Sequence, residues 1–103
     1  MLDLSILETL EFDDDGFMAD AQVWTKDIGG AIASVLEIEL TDRHWDVIEF
    51  SRREFSDKGD APTLRRITKA LNLPTKELYA LFPGGPAKNA AKIAGLPKPT
   101  GCI

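Results

Sequence analysis

Residues 61–83 read APTLRRITKALNLPTKELYALFP. Leu64, Ile67, Ala70 and Leu71 recur at three and four residues, the spacing of a single helix face. Pro62 suits the first turn of that helix, where its missing N–H would be unpaired anyway. Asn72-Leu73-Pro74 then breaks the pattern, and Thr75 is the expected cap of a second short helix that Pro83 ends. Two short helices on a tight turn form either a helix–turn–helix or one corner of a helical bundle. Both readings make the chain mainly helical.

The flanking sequence points the same way. Upstream, Trp24, Ile28, Ala31, Ile32 and Val35 predict an amphipathic helix from Val23, although Gly29 and Gly30 would each cost about 1 kcal/mol against alanine. Thr41 is the expected N-cap of the next helix, with Trp45, Ile48 and Phe55 on its apolar stripe and Gly59 as its stop. Downstream, GGPAKNAAKIAG (84–95) offers Pro86 at a first-turn position, an alanine-rich helix, and Gly95 as terminator. Only the first 20 residues lack a helical stripe. There SILETLEFDDDGFMAD (5–20) has short apolar stretches on either side of an acidic turn with Gly16, which reads as a small β-hairpin. The expected fold is mainly α (α+β), a single domain over 1–103. It divides into a hairpin region (1–20), a helical body (21–94) and a C-terminal arm (95–103).

Totals narrow the function. A chain of 103 residues can bury one core. Its 44% hydrophobic and 28% charged content is that of a globular protein. The net charge of −5 and pI near 4.7 argue against a nucleic-acid binder that works by neutralising phosphates. A helix–turn–helix DNA-binding regulator is the alternative from another class. Arg65, Arg66 and Lys69 would support it, but the second helix offers only Lys76 to a base edge. No apolar run approaches the roughly 18 residues of a membrane span. The acidic start MLDLSILETLEFDDD has no basic signal-peptide flank. One cysteine cannot make an internal disulfide. The expectation is a cytoplasmic protein with no membrane contact and no direct nucleic-acid contact.

Few residues carry chemistry. His44 is the sole histidine, so no multi-histidine metal site is expected. Packing or capping is its expected use, with a Cys–His dyad to Cys102 as the alternative. The acidic run Asp13–Asp15 lacks the alternating ligand spacing and distant glutamate of a calcium loop, and reads as a solvated turn. Cys102 remains, second from the C-terminus, in LPKPTGCI (96–103). Pro97 and Pro99 favour extended polyproline geometry, which at about 3.1 Å per residue carries the thiol roughly 20–25 Å from its helix. Gly101 removes bulk beside it. Lys88, Lys92 and Lys98 favour the thiolate, the nucleophilic form, while the terminal carboxylate opposes it. An exposed thiol on such an arm suits entry into another protein.

At this point the sequence resembles a known family. LTDRHWDVIEF (40–50), APTLRRITKAL (61–71), LYALFPGGPAKNAAKIAGLPKPTGCI (78–103) and DDDGF (13–17) resemble the DsrC/TusE family of sulfur-relay proteins, over nearly the whole chain. The resemblance implies an N-terminal β-hairpin followed by an orthogonal helical bundle with a helix–turn–helix and an extended C-terminal arm. It also implies that Cys102 accepts and donates sulfane sulfur as a persulfide, as a relay component rather than a stand-alone enzyme and without a cofactor. Gly95, Pro97, Pro99 and Gly101 would then serve as arm and hinge. Arg65, Lys88, Lys92 and Lys98 would contact the arm or an acidic partner surface, or make ordinary structural ion pairs. Implied partners are a persulfide-donating sulfurtransferase and an acceptor, either a transfer-RNA thiolase or a siroheme sulfite reductase.

Departures from the family pattern sharpen this. Members that work with dissimilatory sulfite reductase carry a second cysteine eleven positions before the terminal one, and here that position is Ala91. No intramolecular disulfide can form. TusE proteins resemble this chain in keeping only the terminal cysteine. The short Lys69–Leu81 segment and the PTGC ending look more like DsrC of sulfite reducers. An accessory (gamma) subunit of dissimilatory siroheme sulfite reductase is therefore the alternative within the family.

Overall fold

The computed structural model describes residues 4–98 of the chain. Among them, five α-helices follow two short 3-10 segments: α1 (Lys26–Val35), α2 (Asp42–Lys58), α3 (Leu64–Leu71), α4 (Thr75–Leu81) and α5 (Pro86–Ile93). Helix α5 packs against α1, α2, α3 and α4, so it runs through the middle of the bundle. The core gathers Ile28 and Ile32 from α1, Val47 and Ile48 from α2, Ile67 from α3, Leu78 from α4 and Ile93 from α5. The mainly helical expectation holds.

The N-terminal β-hairpin does not form. Leu4–Thr9 is a 3-10 helix packed on α1, and the only β pairing among the described residues is one isolated antiparallel bridge, Phe12 to Met18. Two features explain the difference. Ile6, Leu7 and Leu10 are spaced to meet the core from a helical turn, and all three pack against it. Asp13 then closes the chain too tightly for a ladder. Its Oδ1 accepts from the N–H groups of Asp15 and Phe17 (2.9 Å each), while its own N–H donates to the Phe17 carbonyl. That turn drives Phe17 and Met18 into the core and leaves three carboxylates outside.

Several element starts move by a residue or two. Helix α1 begins at Lys26 rather than Val23, because Thr25 Oγ1 accepts from the Ile28 N–H and caps it. Trp24 is left outside the helix. Val35, placed on the apolar stripe, is 58% exposed. Helix α3 is capped by Thr63, which puts Pro62 before the helix, and Thr75 is the first residue of α4 rather than its cap. In α2 the buried face is His44, Val47, Ile48, Phe50, Ser51 and Glu54, so Trp45 and Phe55 only flank it. Three of those six are polar, which hid the stripe from a hydrophobic pattern.

His44 is structural. Its Nδ1 accepts from the Thr41 N–H (3.0 Å), so Nε2 carries the proton and donates to the Leu81 carbonyl (2.7 Å). The ring also meets Phe82 edge-on, with centroids 5.0 Å apart. One imidazole thus ties the start of α2 to the end of α4.

Candidate functional site: the root of the C-terminal arm

The segment that leads to Cys102 leaves the body at the end of α5. After Ala94, Gly95 turns into the left-handed conformation (φ 72°), and its N–H donates to the Lys92 carbonyl. The Leu96 N–H reaches back to the Ala91 carbonyl (2.9 Å). This pair of reversed bonds is a Schellman closure, which satisfies carbonyls that a helix end otherwise leaves open. Leu96 is 1% exposed, so the chain is still in the core two residues past the helix.

Two distant side chains hold the last carbonyls of this helix end. Trp24 Nε1–H donates to the Ile93 carbonyl (2.8 Å). Arg52 of α2 donates from Nη1 to the Ala94 carbonyl (2.7 Å) and from Nη2 to the Ala21 carbonyl (3.1 Å). Its guanidinium lies 4.3 Å from the Trp24 ring centroid, a stacked cation–π contact. Burial pushes the Arg52 pKa down from its ordinary value, although an arginine keeps its charge well above neutral pH. The positive charge sits at the C-terminal end of α5, where the helix dipole favours it. The indole also covers both glycines that face it. A Cβ on Gly29 would come within 2.9 Å of the ring, and one on Gly95 within 2.2 Å.

Beyond Leu96 the chain surfaces. Pro97 and Lys98 are exposed, and Lys98 Nζ donates to Asp15 Oδ2 (3.0 Å) in the acidic turn. This hydrogen bond and the Lys98 charge, with smaller help from Lys88 and Lys92, hold the Asp15 carboxyl below its usual range. Lys92 also stands over the Phe17 ring at 5.3 Å. The three lysines singled out in the sequence are thus brought to one side of the arm root, around Asp15. Arg65 is not with them. It lies exposed on α3, about 200° around the helix from buried Ile67. The ion pair of that helix belongs to Arg66, whose Nε and Nη2 grip Glu54 at 3.0 and 3.1 Å. A helical wheel carries the signal, since Arg66 flanks the apolar stripe where Arg65 opposes it.

Pro99, Gly101 and Cys102 lie outside the described residues. Ala91, the position matched to a second cysteine, is 1% exposed, and its carbonyl is the one that receives Leu96. Sequence reasoning missed Trp24, Arg52 and Asp15 at this site. Only the first carried a signal, as a tryptophan just before a helix whose glycines needed a reason.

The family model for DsrC-like proteins matches residues 7–103. A sulfurtransferase TusE homolog of Haemophilus influenzae is 41% identical over 110 aligned residues, covering all of both chains. The solution structure of DsrC from Allochromatium vinosum superposes with a TM-score of 0.82 at 39% identity, covering 91% of this chain and 90% of that one. The oxidised gamma-subunit of the dissimilatory sulfite reductase (DsrC) from Archaeoglobus fulgidus gives 0.81 at 40% identity, covering 91% and 92%. The sequence match over residues 7–103 and the likeness in shape over 91% of the chain place it in the DsrC-like family.

Proposed function

We propose that this chain is a sulfur carrier that receives and hands on sulfane sulfur as a persulfide of Cys102, between protein partners in the cytoplasm. One observation carries the reading: the family match runs through residue 103 and so includes the terminal cysteine. The chemistry needs only a thiol. Cys102 thiolate attacks the outer sulfur of a donor persulfide, a new S–S bond forms at Cys102, and the donor's S–S bond breaks as its thiolate leaves. No net oxidation occurs and no cofactor takes part. Handing sulfur on is the same exchange with Cys102 as the leaving thiolate. Pro97, Pro99 and Gly101 would form the travelling part of the arm, and Lys88, Lys92 and Lys98 would guide it or meet an acidic partner.

Incubation of the full chain with a persulfide donor should add the mass of one sulfur, about 32 Da, and Cys102→Ala should abolish the gain. An unmodified wild-type mass would overturn the reading. A second reading is an accessory subunit of a siroheme sulfite reductase, favoured by the likeness to the Archaeoglobus gamma-subunit. Against it, Ala91 leaves the arm no second thiol to close a disulfide within the chain. Co-purification with a reductase, rather than with a transfer-RNA thiolase, would decide for the second reading.

A further inference from the structure

We propose that Trp24 and Arg52 are positioning residues for sulfur transfer. They fix Ile93–Leu96 to the body, so that the segment leading to Cys102 leaves from one place in one direction. The inference rests on the sulfur-carrier reading for its purpose but on geometry for its content.

Gly95 stands at the foot of the arm and reads as a hinge in the sequence. Its surroundings are those of an anchor. The residue is buried, its N–H is bonded, and the Trp24 ring fills the space over its Cα. Ile93, Ala94 and Leu96 on either side are each held by a separate hydrogen bond, from Trp24, from Arg52 and to Ala91. Arg52 is well suited to this. Its planar fork reaches two carbonyls from different segments, Ala94 and Ala21, while its face stacks on Trp24. Four elements therefore meet at one guanidinium: α2, the end of α5, the 3-10 turn at Ala21 and the indole. The next contact outward, Lys98 with Asp15, joins two half-exposed side chains and is weakened by salt. Ile93–Leu96 are thus held tightly and Lys98 more loosely.

A fixed root matters for delivery. An arm whose foot is immobile sweeps only the space in front of one face, which raises the chance that its thiol meets an aligned cleft. Freeing Ala94–Leu96 would lengthen the tether and let it swing across other faces.

Cys102 is the sole cysteine, so a methanethiosulfonate nitroxide attached to it reports on the arm without added mutations. In the wild-type full chain, paramagnetic broadening should concentrate on amides around Asp15–Phe17 and Lys88–Leu96. Arg52→Gln and Trp24→Phe should each cost the Leu96 amide at least about tenfold in hydrogen-exchange protection beyond any loss shared by the core amides of Val47 and Ile67. In both variants the broadening should spread to amides of α1 and α2. Should Arg52→Gln melt as a whole, Arg52→Lys keeps the charge but not the fork, and its Leu96 amide should show the same loss. Unchanged Leu96 exchange with an unchanged broadening pattern in folded variants would overturn the proposal. Failure of the sulfur-carrier reading would appear separately, as a wild-type Cys102 that gains no mass from inorganic polysulfide.

Discussion

Gly59 and Gly95 both follow helices, and each is glycine for a different reason. Each follows the last residues of a helix, α2 or α5, and each takes the left-handed conformation, at φ 76° and 72°. At Gly59 an added Cβ would meet nothing within 4 Å, so glycine there answers a backbone requirement alone. At Gly95 the same Cβ would enter the Trp24 ring. Helix α2 merely stops, whereas α5 stops beneath a lid of side chains that sets out the next segment. Two left-handed glycines thus separate a backbone requirement from a packing one.

Alanine at each site breaks the comparison most sharply. Gly59→Ala should cost about 1 kcal/mol, the left-handed penalty of an ordinary residue. Gly95→Ala adds overpacking against the indole and should cost about 2–4 kcal/mol, lowering Tm by at least roughly 10 °C. Urea unfolding of both variants measures the gap, and equal losses would show that Trp24 does not constrain Gly95. Next in size is the coupling. Trp24→Ala is destabilising alone, but in its background Gly95→Ala should recover at least about 1 kcal/mol, which a double-mutant cycle reads directly. Trp24→Phe keeps the ring cover and loses the bond to Ile93, so it should cost about 1 kcal/mol and leave the Gly95 penalty nearly intact.

The smallest effect lies past the clamp, at Asp15. Its carboxyl is held below the ordinary range chiefly by Lys98. A depressed folded-state pKa means that the contribution is present above the unfolded carboxylate range and is lost as pH falls through the lowered value. Asp15→Asn should therefore lower the neutral-pH melting point slightly and flatten part of the acid-side decline. In an NMR titration, Lys98→Ala or 1 M salt should raise the Asp15 midpoint. A midpoint indifferent to both would show that the arm is not held there.

Much of this was legible in the sequence because it rests on local pattern. Leu64, Ile67 and Leu71 of the α3 stripe, Pro86 at the start of α5 and Gly95 at its end are all short-range signals that stand where periodicity and capping chemistry put them, whereas Ala70 is exposed. Long-range pairing decided the rest. The acidic run reads as a hairpin turn in isolation, but a hairpin needs flanking residues free to pair, and Ile6, Leu7 and Leu10 pack against the core instead. The Arg52 clamp joins Ala21 to Ala94, and the latch joins Asp15 to Lys98, both across more than half the chain. Nothing in one dimension marks such partners. Trp24 is the instructive case. Placed on the α1 stripe by its spacing, it serves instead as the roof of a different helix's end.

The burial of Leu96 also sets a depth gauge for any partner. From that fixed point six peptide steps lead to Cys102, which at about 3.1–3.6 Å each gives a reach of roughly 19–22 Å. An acceptor whose reacting sulfur lies deeper below its rim than this could not be served without unwinding α5. The partners of such a carrier should therefore have funnels of matching depth, cut to the length of PKPTGCI.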